Sequence, residues 1–229
     1  MITQIYTVRT PEEALAVAKA GADHLGTFPK SKMGADGVDG LEMCKKICDA
    51  LRGVATSVMI TLDDTPEECI RQAVYCKPDI VHVCGDEYFA TPELCAELKK
   101  AVPGIRVMQA IPVGGPESVE MAKKYAEFCD LLILDTNSEN VPGIGAAGET
   151  HDWNLDKAIV DAVDIPIIIA GGLDPENVAD AIRLVKPWGV DSCTRTNLPK
   201  RPGQPEGKDI ELCRQFCENA VAAAKELGL

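Results

Sequence analysis

Short apolar runs alternate with amphipathic stretches from one end of the chain to the other. ITQIYTV (2–8) is an apolar run, and TPEEALAVAKAGA behind it repeats its apolar residues at helical spacing. In that helix Thr10 is placed as N-cap, Pro11 stands at N1, Glu13 completes a capping box and Gly21 follows the last turn. The unit then recurs. DHLGTF leads to GLEMCKKICDALRG, which ends at Gly53, and VATSVMITL leads to TPEECIRQAVYC. DIVHVCG leads to TPELCAELKKA, IRVMQAIPV to PESVEMAKKYAEF, and DLLILDT to WNLDKAIVDAV. IPIIIAGG leads to DPENVADAIRLV, and WGVDSCT to the last helix, KDIELCRQFCENAVAAAKEL.

Eight strand–helix units thus fill 229 residues. Near-continuous apolar strands are those of a parallel sheet covered on both faces. Eight of them close as a (β/α)8 TIM barrel, an α/β fold, here a single domain over residues 1–229. A doubly wound open sheet is the competitor, but the glycine-rich first turn that usually marks it is absent.

Composition narrows the class of function. Hydrophobic residues make up 46% and aromatic residues 4%, so the core is aliphatic. The net charge of -13 repels phosphate backbones, which argues against nucleic acid as a partner. An anionic ligand therefore needs local help from backbone N–H groups or a few cations. The ten cysteines form no CxxC pair; Cys44/Cys48 and Cys213/Cys217 are spaced i, i+4 on helices. That spacing does not suit structural zinc, and the expectation is no metal and reduced thiols that mostly fill core space. No signal peptide and no membrane-length apolar run is evident, so the expectation is a cytoplasmic protein with no membrane partner.

In a barrel of this kind chemistry collects at the C-terminal ends of the strands. Candidates fall at Tyr6, Thr27–Met33, Thr61–Asp64, Cys84–Glu87, Ile111–Gly115, Asp135–Asn137, Gly171–Gly172 and Ser192–Thr196. Asp135 closes the apolar run Leu131–Leu134. It reads either as a hydrogen-bonded loop anchor or as a general acid or base whose pKa is raised by partial burial. Gly171-Gly172 ends the seventh strand and allows close backbone approach to a ligand. The helix after Asp174 is expected to aim its N-terminus at the mouth. With Thr194 and Arg195 after the eighth strand, these loops match the usual phosphate site of barrels, the bland alternative being a tight turn and a surface arginine.

The segment 142–153 is glycine-rich and long for a connector, which suggests a flap, with His151 packing at the start of the next helix. His24 and His82 lie within strands and read as packed or helix-facing. Lys30 and Lys32 are either solvated or a pair of cations facing an anionic substrate. No lysine within a strand points at the barrel centre, which weakens a Schiff-base aldolase.

RTPEEALAVAKAGADHLG, FPKS, VHVCGDE, LLILDT, GAAGETHDW, IIIAGGLDPENV and VKPWGVDSCT…GKD together resemble the phosphoribosylanthranilate isomerase family, in order and over nearly the whole chain. The resemblance implies a (β/α)8 barrel that carries out an Amadori rearrangement of a small phosphorylated substrate without metal or cofactor, as a monomer or homodimer. It implies that Asp135 is the general acid and that Gly171, Gly172 and Thr194 belong to the phosphate loops. It also implies departures. The strand-one cysteine that serves the family as base is Tyr6 here, a poor base unless its phenolate is stabilised. The arginine after PKSP falls on Met33, with Lys32 one residue away; the histidine of HGDE is Cys84; a small residue of the last phosphate loop is Arg195. The expected activity is an isomerase with Asp135 as acid. The alternatives are an epimerase or lyase on another anionic substrate using Tyr6 as hydroxyl donor, and a ligand-binding relative without catalysis. Cys84 as a relocated base is a further option.

Overall fold

The computed structural model describes residues 1–29, 40–62, 65–84, 89–136, 150–199 and 206–229. Its strands are β1 (Ile2–Tyr6), β2 (His24–Thr27), β3 (Thr56–Thr61), β4 (Ile80–Val83), β5 (Arg106–Val113), β6 (Leu131–Thr136), β7 (Ile167–Ile169) and β8 (Gly189–Ser192). All neighbours pair in parallel, and β8 closes on β1, so the sheet is a closed eight-stranded barrel. The helices α1 (Pro11–Lys19), α2 (Gly40–Leu51), α3 (Pro66–Cys76), α4 (Pro92–Ala101), α5 (Glu117–Ala126), α6 (Trp153–Ala162), α7 (Val178–Val185) and α8 (Ile210–Leu227) follow the strands in turn. The expected (β/α)8 barrel is the fold.

Strand alternation builds two apolar layers. Ile5, Leu25, Met59 and Val81 point outward and pack with the helices. Tyr6, Val58, Ile60, Ile80, Met108, Leu131, Ile133 and Ile168 fill the barrel itself. The interior also carries a polar layer. Gln4 pairs in register with His24 on one side and Asp191 on the other. Its amide donates to Asp191 Oδ1 at 3.2 Å, and its Oε1 lies 3.3 Å from His24 Nδ1. Of the two readings for His24 and His82, packed and not helix-facing is the one found: both are buried in the barrel interior, where His82 stacks on Tyr6 and His24 meets Trp188. Burial lowers the pKa of His24 to about 4 and of His82 to about 3, so both rings are neutral at physiological pH.

Helix starts follow their sequence signals. Thr10, Thr65 and Thr91 each accept the N–H three residues on, with a proline opening the helix behind them. One half of the expected capping box differs. The Glu13 carboxylate accepts from the Arg9 and Lys208 N–H groups, tying α1 to the segment before α8 instead of closing on Thr10. Helix α7 begins at Val178, because Asp174 Oδ1 accepts from the Glu176 and Asn177 N–H groups and holds that segment as a turn. All ten cysteines are free thiols and nine are buried; Cys193 alone is partly open. Among the described residues no helix is long and apolar enough to cross a membrane.

Candidate active site

Four fully buried apolar residues, Leu131–Leu134, carry β6 through the barrel wall and deliver Asp135 to its C-terminal end. The Thr136 N–H donates to Asp135 Oδ1 at 2.7 Å. Desolvation outweighs that bond and the nearby His151, and the Asp135 pKa rises to about 6. A carboxyl group so placed holds its proton for a sizeable fraction of the time near neutrality, as a general acid requires.

Asp191, two strands away on β8, is buried beneath it. Burial and the charge of Asp135 push the Asp191 carboxyl well above the usual range, against the Gln4 amide and Lys208. Two carboxyl groups thus face one region of low polarity and disfavour each other's ionisation.

The floor and one wall of the adjoining cavity are backbone. Gly171 and Gly172 adopt φ of +83° and +62°, the left-handed region. A Cβ on Gly171 would come within 2.4 Å of Thr136 Oγ1, so this turn sits tight against the end of β6. The Asn177 amide donates to the Gly172 carbonyl at 3.0 Å, and the Ser192 hydroxyl donates to the Leu173 carbonyl at 2.7 Å. The loop after β7 is thereby locked to β8. Thr194–Thr196 form one 3-10 turn after β8, with Thr194 and Arg195 exposed. One cavity is lined by Asp135, Gly171, Gly172, Leu173, Asp191, Cys193, Thr194 and Arg195. The expected acid and the four expected anion-loop residues therefore meet in one place.

Tyr6 stands apart from that lining. Its hydroxyl lies 2.8 Å from His82 Nδ1, its ring stacks on the imidazole at 5.4 Å, and it is buried. The ring crosses the barrel above Gly26, where a Cβ would fall 1.6 Å from Tyr6 Cδ1. Burial, then the surrounding acids Asp191, Cys84 and Asp135, hold the phenol well above its ordinary pKa. Each of these effects disfavours a phenolate. Cys84 is buried in the same interior cluster and does not line the cavity.

His151 packs as expected, but with polar partners. Its Nδ1 lies 3.0 Å from Thr136 Oγ1 and its Nε2 lies 2.7 Å from Asp156 Oδ1, with both His151 and Asp156 side chains buried. This bridge ties the start of α6 to the residue after Asp135. Lys30, Lys32 and Met33 lie outside the described residues, as do positions 142–149 of the expected flap.

Asp191 was not singled out from the sequence, Cys193 entered only within the candidate range Ser192–Thr196, and His82 was read only as a packed or helix-facing residue. The period-two alternation that turns Asp135 inward also turns Asp191 and Cys193 inward on β8 and its end. That signal was available in GVDSC, where Asp191 follows Val190 in a fully buried strand.

A closed parallel barrel with an acid and a glycine turn at its C-terminal mouth defines a TIM-barrel protein with a candidate site at that mouth. Residues 3–194 match the family model described as N-(5'phosphoribosyl)anthranilate (PRA) isomerase. The chain belongs to that family. A relative of that name from Methanocella arvoryzae is 34% identical over 209 residues, covering 91% of this chain and 92% of its own. Another from Haloferax volcanii is 33% identical over 210 residues, covering 92% and 86%. The crystal structure of phosphoribosyl anthranilate isomerase from Thermotoga maritima superposes with a TM-score of 0.77 at 29% identity, covering 97% of this chain and 100% of the other. A structure of such an isomerase in complex with reduced 1-(o-carboxyphenylamino)-1-deoxyribulose 5-phosphate superposes with a TM-score of 0.74 at 28% identity, covering 97% and 100%.

Proposed function

We propose that this protein is a phosphoribosylanthranilate isomerase of tryptophan biosynthesis, with Asp135 as its general acid. One observation carries the assignment of the site: Asp135, its pKa raised to about 6 by burial, shares a cavity with the Gly171-Gly172 turn and Thr194-Arg195. The substrate is an N-glycoside of ribose 5-phosphate. Asp135 gives its proton to the ring oxygen, the C1–O bond breaks, and the nitrogen lone pair forms the C1=N iminium. Loss of the C2 proton then yields an enol, which becomes the 2-ketone as C1 gains a proton. Every step moves protons only, so the reading includes no cofactor.

In this reading the phosphate rests on the Gly171-Gly172 backbone and the Thr194-Arg195 turn, where N–H donors and one guanidinium offset the opposing net charge. Lys30 and Lys32, in the segment that follows β2 in the sequence, supply positive charge to the anionic substrate. Tyr6 serves as interior wall and partner of His82, not as acid or base, and Cys84 packs beside it. We place the enzyme in the cytoplasm, as a monomer or homodimer; one relative of solved structure is a dimeric isomerase from which monomers have been generated.

The test is genetic. The gene should restore growth without tryptophan to a strain lacking its own phosphoribosylanthranilate isomerase, and the Asp135→Ala variant should not. Equal rescue by the variant would remove Asp135 from the chemistry, and no rescue by the stably expressed wild-type protein would contradict the substrate.

A further inference from the structure

The isomerase reading requires a group that takes a proton from carbon, and Tyr6 is committed to His82. Of the described side chains lining the cavity, those able to accept a proton from substrate besides Asp135 are Asp191 and Cys193. They stand at different depths. Asp191 is 3% exposed and holds the Gln4 amide within the barrel. Cys193 is the next inward residue toward the mouth, and the only cysteine that is not buried.

The neighbourhood of Cys193 fixes the sulfur in place. Ile5 pairs with Ser192 across the β1–β8 seam, so the register carries Cys193 to the level of Tyr6. There Thr7 Oγ1 lies 3.6 Å from Cys193 Sγ. Thr7 reaches it from a φ of +67°, a left-handed conformation that is unfavourable for a β-branched residue. Lys208 Nζ, on a residue only 4% exposed, donates to the Cys193 carbonyl at 2.7 Å and to Asn197 Oδ1 at 2.6 Å. Both acceptors are uncharged, so the ammonium charge remains available to its surroundings. The Thr196 hydroxyl also donates to the Cys193 carbonyl, at 3.1 Å.

We propose that the Cys193 thiolate is the general base of this enzyme, facing the acid Asp135 across one cavity at the mouth of the barrel. The proposal rests on the isomerase reading. In the productive state the two groups carry one proton between them, on Asp135. That proton passes to the ring oxygen as the ring opens. The Cys193 thiolate then takes the C2 proton; the C2–H pair forms C1=C2, and the C=N pair returns to nitrogen. The cycle closes when the thiol gives its proton to C1 and the enol O–H gives its proton to the Asp135 carboxylate, leaving the 2-ketone. Burial raises the Cys193 pKa and Lys208 opposes that rise, with Asp191 below and Asp135 across the cavity adding negative charge. The Lys208 ammonium and the iminium formed in the first step both favour the thiolate when it is needed.

The experiment is steady-state kinetics on the purified full chain with phosphoribosylanthranilate, comparing wild type, Cys193→Ala and Cys193→Ser, with melting temperatures for each. The expected result is a loss of about 10²–10⁴ in kcat for both variants, the magnitude of a lost general base. KM should stay within a few-fold and the melting temperature within a few degrees. The wild-type kcat/KM should follow a bell-shaped pH profile, and its acidic limb, the rise in rate as the thiolate forms, should be absent from the residual activity of Cys193→Ala. An active wild type with Cys193→Ala equally active, or with its acidic limb intact, overturns the thiol assignment while leaving the isomerase reading in place. A loss seen only in KM, or only together with melting, assigns Cys193 to binding or structure and also overturns it. A folded wild-type protein with no turnover overturns both readings.

Discussion

The Tyr6 hydroxyl and His82 Nδ1 lie 2.8 Å apart inside the barrel, and each is the other's partner. Burial disfavours both the imidazolium and the phenolate, so the pair is a neutral imidazole hydrogen-bonded to a neutral phenol. Strand one therefore contributes packing and one internal hydrogen bond where a reactive group could have stood.

Tyr6→Phe tests that division of labour. The variant keeps the ring above Gly26 and leaves His82 Nδ1 buried without its phenol partner, at a cost of about 1–3 kcal/mol. Denaturant titration should show that loss, while kcat stays within a few-fold of wild type. A kcat loss of about 10² or more in a folded variant would return Tyr6 to the chemistry.

Asp135 and Asp191 make stability depend on pH. Both have folded pKa values raised above their unfolded ones, Asp135 from 3.8 to about 6 and Asp191 further upward. Their contribution is present in full below the unfolded carboxylate range, and for Asp135 it is lost as pH rises through about 6. Asp135→Asn and Asp191→Asn should therefore melt above wild type at pH 8, by about 1–2 kcal/mol for Asp135 after allowing for its partial exposure. The gain should shrink between pH 5 and pH 4. Calorimetry at the two ends of that range checks the sign, and variants that melt lower at pH 8 would contradict it.

His151 and Asp156 form a buried pair whose second Asp156 oxygen has no hydrogen-bond partner among the described residues. Removing one member should cost more than removing both. His151→Ala should lose about 3–5 kcal/mol because it strands a buried carboxylate, whereas His151→Phe/Asp156→Leu should fall much closer to wild type. Equal losses would show that the bridge carries no such coupling.

The fold was legible in the sequence because each unit repeats the same signals. Thr-Pro starts at Thr10, Thr65 and Thr91 and apolar strands of two-sided burial point to one architecture. Asp135 was legible for a related reason, since an acid ending the run Leu131–Leu134 has little alternative but the barrel mouth. What escaped was pairing across the barrel. Tyr6 and His82 are 76 positions apart, and Gln4 and Asp191 are 187 apart. Which inward residues meet depends on the stagger of the closed sheet, and local periodicity does not carry that. Glu13 is the small-scale version: its capping signal was right for the helix start, but Lys208, 195 positions away, competes for its carboxylate.

The central claim is that Asp135 is the acid of an isomerase acting on phosphoribosylanthranilate. The direct measurement is turnover of that compound by the purified chain, wild type against Asp135→Asn, at a pH near 7 with folding checked by circular dichroism. The account predicts turnover by wild type and a loss of about 10²–10⁴ in kcat in a folded Asp135→Asn. A folded variant that retains the wild-type kcat would contradict it.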